Sequence, residues 1–267
     1  MGVVNVTPDS FSDGGQYLDA SQAIKKALHM IRQGARILDI GGESTRPGAA
    51  SVAPEEQILR VLPVIEGILA KEPHAIISID TTSSIVAQKA ISAGASIIND
   101  ISGLTQDTDM PELARETRVG IVIMHMQGTP ENMQHDPCYE DCVAEIREWL
   151  QARVNTVTAM GIDPASIAID PGIGFGKKLA HNLEILHRLA HFTSIGAPIL
   201  VGASRKRFIG TVGNVESPED RLPGSLAALT CAVLQGASIL RVHDVPESLQ
   251  AARIAAAIRE PARWENL

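Results

Sequence analysis

Eight short apolar runs divide this chain into near-equal units, and their spacing limits the fold more than any other feature of the sequence. Each run has the length and composition of a buried strand, and each is followed by a longer segment with helical spacing of its apolar residues. The steps from Asn5 to His243 average about 34 residues per unit. The predicted strands are Gly2–Asn5, Ile37–Gly42, Ile76–Thr81, Ser96–Asp100, Gly120–Met126, Ile167–Gly172, Pro198–Ser204 and Ser238–Asp244.

The intervening segments are predicted to be helices, because proline opens several of them and glycine closes several. They are Ala20–Gly34, Pro54–Ala70, Ser83–Gly94, Pro111–Thr117, Tyr139–Met160, His181–Phe192, Pro218–Gly236 and Pro246–Glu260. Without a linker or low-complexity break between them, these units predict an α/β fold, a single (β/α)₈ TIM barrel formed by residues 1–267 as one domain. An open, doubly wound sheet is the alternative, and the near-even spacing favours the closed barrel.

A polar residue stands at the end of every predicted strand. In a barrel of this kind the loops after the strands share one face, and chemistry is found there. Any one of these residues alone is more simply a loop residue or a helix cap, whereas the full set at the ends of buried strands favours a site. The set is Asn5, Glu43, Asp80, Asn99, His125, Asp170, Ser204 and His243.

The stretch Ile167–Lys177 has the strongest local pattern. A buried strand ends at the carboxylate of Asp170, and three glycines follow at alternate positions around Phe175. Glycine allows backbone N–H groups to approach a ligand closely, so the stretch predicts the floor and rim of a pocket. The spacing fits neither a Walker loop nor a dinucleotide-binding fingerprint, because Pro171 and Lys177 occupy positions where those motifs need glycine.

Other loops carry groups suited to a small anion. Gly41–Gly48 combines glycines with Arg46, and Gly202–Gly210 is cationic. Arg241 and His243 alternate in the last strand, which predicts that both side chains share one face. Loops after strands seven and eight bind phosphate in many barrels, so an anionic group is expected in the ligand.

Carboxylates and a carboxamide on neighbouring strands are suited to a heterocycle. Asp80, Asn99 and Asp170 could accept hydrogen bonds from its ring N–H groups. The alternative is a divalent metal ion held by Asp80, Asp100 and Asp170.

The first loop, Asn5–Gly15, is expected to run for about fourteen residues before a helix begins, longer than the roughly 2–6 residues of most such loops. A long polar loop at a barrel mouth is typical of a lid. Phe11 in this loop, with Phe175 and Phe208 beyond other strands, indicates a flat ligand to stack on, although Phe208 has the simpler interpretation of packing a helix.

Composition narrows the class of partner and the compartment. The net charge is −8 and basic residues are scattered, so nucleic acid is not expected as a partner. No apolar stretch approaches the roughly 18 residues of a membrane span, and no leader pattern precedes Gly2. The three cysteines favour a reducing compartment over a disulfide scaffold, and the expected location is cytoplasmic.

Taken together, the motifs resemble those of the dihydropteroate synthase family. The matching stretches run in order along the whole chain: Asn5–Gly15, Asp39–Ala49, Ser78–Thr81, Ile97–Ile101, Met124–Pro130, Asp170–Lys177, Gly202–Gly210 and Arg241–Val245. The resemblance implies a transferase of folate biosynthesis, a sulfonamide target, that joins p-aminobenzoate to 6-hydroxymethyl-7,8-dihydropterin pyrophosphate and releases pyrophosphate and 7,8-dihydropteroate. It also implies a homodimer that uses Mg²⁺.

The resemblance assigns a role to each matching residue. Pterin binding is implied for Asp80, Asn99, Met124, Asp170, Gly202 and Lys206. Pyrophosphate binding is implied for Asn5, Thr45, Arg241 and His243, with Asn5 also a ligand of the Mg²⁺. The p-aminobenzoate site would be formed by Arg46, Pro47, Phe175 and Ser204. The residues implied in catalysis are Asp80, Lys206 and Arg241.

Two other functions fit parts of the pattern. A pterin-dependent methyltransferase shares the barrel and a related pterin pocket, but it needs no anion clamp of the kind that Arg46, Lys206 and Arg241 predict. A non-catalytic pterin-binding paralogue would keep the pocket without turnover, and only an assay separates it from an enzyme.

Overall fold

A computed structural model describes residues 1–7, 15–44 and 48–264 of the chain. Parallel strands and helices alternate along these residues. The strands are β1 (Gly2–Asn5), β2 (Ile37–Gly41), β3 (Ile76–Asp80), β4 (Ile97–Asp100), β5 (Gly120–Met124), β6 (Ile167–Asp170), β7 (Leu200–Val201) and β8 (Ile239–Leu240). The helices are α1 (Gly15–Arg32), α2 (Pro54–Leu69), α3 (Ser84–Ser92), α4 (Met110–Thr117), α5 (Cys142–Ala159), α6 (Leu179–His187), α7 (Arg207–Gly213), α8 (Leu222–Leu234) and α9 (Val245–Arg259).

The strands close into a barrel. β1 to β6 form one parallel sheet in sequence order, and β7 pairs with β8. Single parallel bridges, Ile169 with Ile199 and Gly2 with Val242, join the two pieces on both sides. The second junction is held by a hydrogen bond of 3.0 Å from the Val3 N–H to the Val242 carbonyl. The predicted (β/α)₈ barrel is therefore confirmed, and the open sheet is wrong.

Side-chain alternation along the strands separates the core from the barrel interior. The outward-facing residues, such as Ile40, Ile79 and Ile98, are fully buried against the helices. Inward-facing Val122, Ala168 and Leu200 form a second, smaller apolar cluster, to which Ile97 and Ile239 also belong. Because successive side chains on a strand point to opposite faces, the inward residues two positions further along each strand line the mouth.

The helical prediction was wrong at several boundaries. α1 begins at Gly15, five residues before the predicted start at Ala20. The predicted helix His181–Phe192 is interrupted at Arg188, and a 3₁₀ helix, Leu189–Ile195, follows. The segment Pro218–Gly236 likewise opens with a 3₁₀ turn before α8.

α7 is a helix that the sequence pattern did not indicate. It starts immediately after Lys206 and ends at Gly213, and the following residue, Asn214, has a left-handed φ of 52°. The segment is short and contains two glycines, residues of low helix propensity. Tertiary packing explains its formation, because Phe208 and Ile209 are buried in the main core. Among the described residues, no helix is long and apolar enough to cross a membrane.

Candidate active site

The inward-facing residues at the carboxyl ends of the strands form the floor of the barrel mouth. Pairing aligns Asn5 with Gly41, Gly41 with Asp80, and Asp80 with Asn99. Further around the barrel, Met124 pairs with Asp170. Gly202 and Arg241 follow β7 and β8 with the same inward parity. The structure thus brings most of the residues predicted for pterin and pyrophosphate to one surface.

Arg241 is the central cation of this floor. Its Nε donates to Asp39 Oδ2 at 2.6 Å, and a terminal nitrogen donates to Asp80 Oδ2 at 2.7 Å. Asn99 Nδ2 donates to the same Asp39 oxygen at 3.1 Å. We refer to Asp39, Asp80 and Asp170 as the floor carboxylates.

One guanidinium shared between two buried carboxylates leaves excess negative charge. Burial raises the pKa of Asp80 to about 7, against the opposing charge of Arg241, and the Asp39 carboxylate adds to the rise. Burial also disfavours the charge on Arg241, but Asp39 and Asp80 together raise its pKa. The arginine therefore stays charged, and Asp80 takes up a proton near neutral pH.

Asp170 and Lys206 form the second charged group of the floor. Asp170 Oδ1 accepts a hydrogen bond of 2.7 Å from the Gly172 N–H. Burial raises the pKa of Asp170, opposed chiefly by the charge of Lys206, and burial lowers the pKa of Lys206 to about 8. The Lys206 ammonium donates to the Ile173 carbonyl and lies 4.4 Å from the centre of the Phe175 ring. Lys206 therefore connects the floor of the barrel mouth to Phe175, the aromatic residue of the loop after β6. We refer to this loop, Pro171–Lys178, as loop six.

Ser204 and His243 form a polar pair at the rim. Ser204 Oγ lies 3.0 Å from His243 Nδ1 and accepts a hydrogen bond of 3.3 Å from the His243 N–H. Burial lowers the pKa of His243 to about 4, and the charges of Arg241 and Arg205 lower it further. The imidazole is neutral at pH 7. With Nδ1 accepting from the Ser204 hydroxyl, Nε2 carries the proton and can donate to an anion.

Two residues offered as site residues, Asp100 and Phe208, have structural roles instead. Asp100 points outward from β4, where its Oδ1 accepts from the Ser102 N–H at 2.7 Å, so it does not join Asp80 and Asp170 around a metal ion. Phe208 is buried in the core, which excludes stacking on a ligand. Arg241 and His243 have the same parity along the chain, as the alternation predicted, and they bond different partners: Arg241 donates to Asp39 and Asp80, and His243 bonds Ser204.

Some predicted residues lie outside the described part of the chain. These are Phe11 on the first loop and Thr45, Arg46 and Pro47 on the second. The anchors of the second loop are visible: Glu43 accepts from the Val52 N–H at 2.6 Å, and the Gly48 N–H donates to Pro130 at 3.1 Å. The second loop is therefore tied to its own base and to the loop after β5.

Asp39 is a site residue that the sequence analysis missed as an individual residue. It is fully buried, and its Oδ1 has no hydrogen-bond partner among the described residues. A carboxylate inside the apolar run Ile37–Gly42 was the available signal. Its parity matches that of Gly41 rather than that of Leu38, so it points to the barrel interior.

The residues present fit a magnesium ion only with the help of a ligand. Among the described residues, no group of three or more histidines, cysteines or acidic residues could hold a metal ion. Asn5 does offer a carboxamide oxygen at the end of β1. Mg²⁺ characteristically uses one or two protein oxygens together with substrate phosphates and water, which matches this donor set.

Comparison with known proteins supports a pterin site. Residues 1–243 match the family of pterin binding enzymes. The chain is 46% identical over 268 residues to the dihydropteroate synthase of Escherichia coli strain K12, covering 99% of this chain and 94% of that protein. The chain belongs to the dihydropteroate synthase family. Members of this family are transferases of folate biosynthesis, as the sequence motifs predicted.

Solved structures of the dihydropteroate synthase family agree with this fold. The Yersinia pestis enzyme in complex with a sulfonamide drug superimposes with a TM-score of 0.90 and 43% identity, covering 97% of this chain and 93% of that one. The Xanthomonas albilineans enzyme with 4-aminobenzoic acid gives a TM-score of 0.91 and 43% identity, covering 97% and 92%. At this level of identity and coverage the likeness extends to the whole barrel.

Proposed function

We propose that this chain joins p-aminobenzoate to 6-hydroxymethyl-7,8-dihydropterin pyrophosphate, giving 7,8-dihydropteroate and pyrophosphate. The observation that carries the proposal is the arrangement of charge at the barrel mouth. The floor carboxylates and Asn99 lie at the base, whereas Lys206, Arg241 and His243 stand above or beside them. Such a site combines acceptors for a heterocycle with donors for an anionic leaving group.

The floor is suited to a pterin because one edge of the pterin ring carries several N–H donors, for which the floor carboxylates provide acceptors. Only Oδ1 of Asp170 accepts the hydrogen bond from the Gly172 N–H, so Oδ2 can accept one from a pterin N–H. Asp170 lies at the end of β6, where strand pairing with Met124 holds its backbone in place. The Lys206 ammonium offers a donor for the ring carbonyl or a ring nitrogen. Pterin N–H groups and Arg241 would compete for Asp80, so ligand binding there would release one arm of the guanidinium.

The released guanidinium is suited to the leaving group. Breaking the bond between the methylene and the pyrophosphate moves negative charge onto the phosphate oxygens, and fixed positive charge near those oxygens stabilises the transition state. Arg241 supplies the charge, and neutral His243 supplies an N–H donor. A bound Mg²⁺ on Asn5 would add Lewis-acid neutralisation of the pyrophosphate.

The p-aminobenzoate amine needs orientation rather than a strong base. An arylamine is nucleophilic when neutral, so holding it in line with the methylene lowers the entropic cost of the reaction. Phe175 provides an aromatic face, and Ser204 provides a hydroxyl at the same rim. We infer that p-aminobenzoate lies between them, and that sulfonamides compete for this position, since a solved relative contains such a drug.

The first experiment is turnover by the purified chain. With Mg²⁺ and both substrates, dihydropteroate and pyrophosphate should appear in equal amounts, and a chelator should stop both. p-Aminobenzoate should relieve inhibition by a sulfonamide competitively. Pterin binding with neither product would support the non-catalytic paralogue instead, and methyl transfer to or from a folate would support the methyltransferase.

We further infer that two copies of the chain pair through an apolar groove. The groove has a volume of about 660 Å³ and lies between α6, α7 and α8. Leu183, Val212 and Leu234 line it and are each more than one-third exposed, with Val212 at 62%. Burying these side chains against a second copy would remove apolar surface from water.

Analytical ultracentrifugation tests the pairing. We expect a dimer for the parent chain and a monomer for Val212→Asp. Ile254→Asp is the matched control, because Ile254 is exposed on α9 and does not line the groove. A monomeric parent, or equal dissociation by both substitutions, would contradict the assignment.

We also propose a cytoplasmic location. Cys138, Cys142 and Cys231 are all unpaired, as expected in a reducing compartment. Cell fractionation with an antibody to the chain would test this directly, and recovery in an extracytoplasmic fraction would contradict it.

A further inference from the structure

Lys177 is a buried lysine to which neither the sequence motifs nor the proposed chemistry gives a function. Only 3% of its surface is exposed, and burial lowers its pKa to about 7, against the opposing charge of Asp170. Its ammonium contacts three acceptors: the Phe175 carbonyl at 2.8 Å, the His125 carbonyl at 3.2 Å and His125 Nδ1 at 3.2 Å. Three donors therefore meet three acceptors, which satisfies the ammonium as fully as its chemistry allows.

The partners of Lys177 belong to two neighbouring strands. His125 follows β5, and Phe175 lies on loop six after β6. Close backbone approach at the same junction reinforces the contact, since a Cβ on Gly172 would lie 1.9 Å from the His125 carbonyl oxygen. Gly172 has a φ of +71°, so glycine is required there on both grounds. Lys177 thus fastens loop six to the end of β5.

Other hydrogen bonds hold the remainder of loop six against neighbouring parts of the barrel mouth. The Gly174 N–H donates to Asn182 Oδ1 at 2.6 Å, and Gln134 donates to the Gly174 carbonyl at 3.0 Å. Tyr139 Oη donates to the Gly176 carbonyl at 2.8 Å. The side chains of Asn182, Gln134 and Tyr139 bond Gly174 and Gly176, whereas the Lys177 side chain donates to the backbone carbonyl of Phe175 itself.

His125 is suited to its part as acceptor. Its ring is buried and meets Trp149 edge-on at a centroid distance of 5.1 Å. Burial lowers the pKa of His125 to about 3, and the charge of Lys177 lowers it further. The imidazole is therefore neutral, and Nδ1 can accept a hydrogen bond from the ammonium.

We propose that Lys177 is a positioning residue for the p-aminobenzoate site and acts through the backbone of Phe175. This rests on the proposed function, because it is the Phe175 ring that would face the arylamine. Lys177 itself touches neither substrate. Its ammonium holds the Phe175 carbonyl, and the ring on the same residue is thereby held beside Lys206.

The test is the kinetics of Lys177→Met, which keeps the length of the side chain and removes the donors. We expect KM for p-aminobenzoate to rise about tenfold or more, which corresponds to the loss of a hydrogen bond to a charged group. KM for the pterin pyrophosphate should change less than about threefold, since Asp80 and Asn99 make no described hydrogen bond to Lys177 and the charge of Lys177 lowers the pKa of Asp170 less than the charge of Lys206 does. The matched control is Lys178→Met, because Lys178 is an exposed neighbour whose ammonium pairs with exposed Asp136 at 2.6 Å.

A double-mutant cycle with Phe175→Leu separates positioning from general stability. If Lys177 acts through Phe175, adding Lys177→Met to Phe175→Leu should raise KM for p-aminobenzoate by much less than it does in the parent. Equal increases in both backgrounds would overturn the proposal. Unchanged KM values in folded Lys177→Met would also overturn it.

A milder variant covers the case in which Lys177→Met fails to fold. Tyr139→Phe removes one hydrogen bond from loop six, and we expect KM for p-aminobenzoate to rise about two- to fivefold without loss of folded protein. No rise in this folded variant would count against loop six as the positioning element. Absence of turnover in the parent chain would instead show that the proposed function is wrong.

Discussion

The negative and positive groups of the candidate site come from two different parts of the barrel wall. The floor carboxylates stand on β2, β3 and β6, which have four or five residues each and belong to the continuous six-stranded sheet. Lys206, Arg241 and His243 follow β7 and β8, which have two residues each and pair only with one another apart from single bridges. Acceptors lie on the regular half of the wall, and cations lie on the irregular half.

This division matches what each group has to do. Carboxylates that recognise a flat heterocycle must keep fixed positions, and strand hydrogen bonds hold their Cα atoms in place. Under the proposed function, a cation that accompanies the leaving group has to exchange a carboxylate partner for the phosphate oxygens, because the electron pair of the breaking bond between the methylene and the pyrophosphate goes to those oxygens. Arg241 stands just beyond a short strand and divides its nitrogens between Asp39 and Asp80, so the proposed exchange would need it to give up one of these two bonds.

Removing Arg241 should have the largest effect, because it leaves buried carboxylates without their counter-charge. Arg241→Ala should lose turnover and about 3–5 kcal/mol of stability, the usual result of breaking a buried ion pair from one side. Unfolding in urea at pH 8 measures the loss of stability, and the turnover assay measures the loss of activity.

The double variant Asp39→Asn/Arg241→Ala sharpens the assignment. Removing one carboxylate together with the arginine relieves the unpaired charge, so most of the stability should return while turnover stays lost. If the double variant is as unstable as Arg241→Ala, the instability comes from lost packing rather than from unpaired charge. The buried carboxylates would then not need Arg241 as a counter-charge for stability.

The second effect concerns a fixed acceptor. Asp170→Asn should weaken binding of a pterin without phosphates by about 10- to 100-fold, since a carboxylate hydrogen bond is worth about 1.5–3 kcal/mol. Asp163→Asn is the matched control, because Asp163 lies just before the opposite end of β6 and caps a 3₁₀ turn. Calorimetric titration with 6-hydroxymethylpterin would give both affinities, and similar losses in the two variants would contradict a specific role for Asp170.

The sequence predicted the regular half of the barrel better than the irregular half. Alternating apolar runs located β1 to β6 within two residues, whereas Pro198–Ser204 shortened to Leu200–Val201 and α7 was not foreseen. Apolar patterns indicate burial rather than hydrogen bonding. β7 shares its burial with the residues on either side of it, and β8 is only half-buried, so the pattern did not show where the strand pairing of either one ends.

The partners of Arg241 were likewise beyond local sequence. Asp39 and Asp80 are 202 and 161 residues away along the chain, so only the closed barrel brings them together. Motif resemblance identified Arg241 and Asp80 as site residues, and their roles in binding remain predictions. What it could not give is that they bond each other before any ligand is present.

The smallest effect tests whether His243 acts as a neutral donor or as a cation. Its folded pKa of about 4 lies below the usual value near 6.5, so the folded chain binds this proton more weakly than the unfolded chain. The stability that follows from this is present above pH 6.5 and is lost as the pH falls toward 4. His243→Gln should remove that loss, and urea unfolding of both proteins between pH 4 and 7 would detect it.

Turnover provides the complementary measurement on the movable side of the site. His243→Gln should raise KM for the pterin pyrophosphate by about two- to tenfold, the value of one neutral hydrogen bond. The ratio of the variant's KM to the parent's should stay constant from pH 6 to 8, because His243 stays neutral throughout, and comparing the two proteins cancels titration of the substrate itself. A ratio that grows toward pH 6 would mean that His243 gains a proton and acts as a cation like Arg241. The irregular half would then hold two movable charges at acidic pH rather than one charge and one neutral donor.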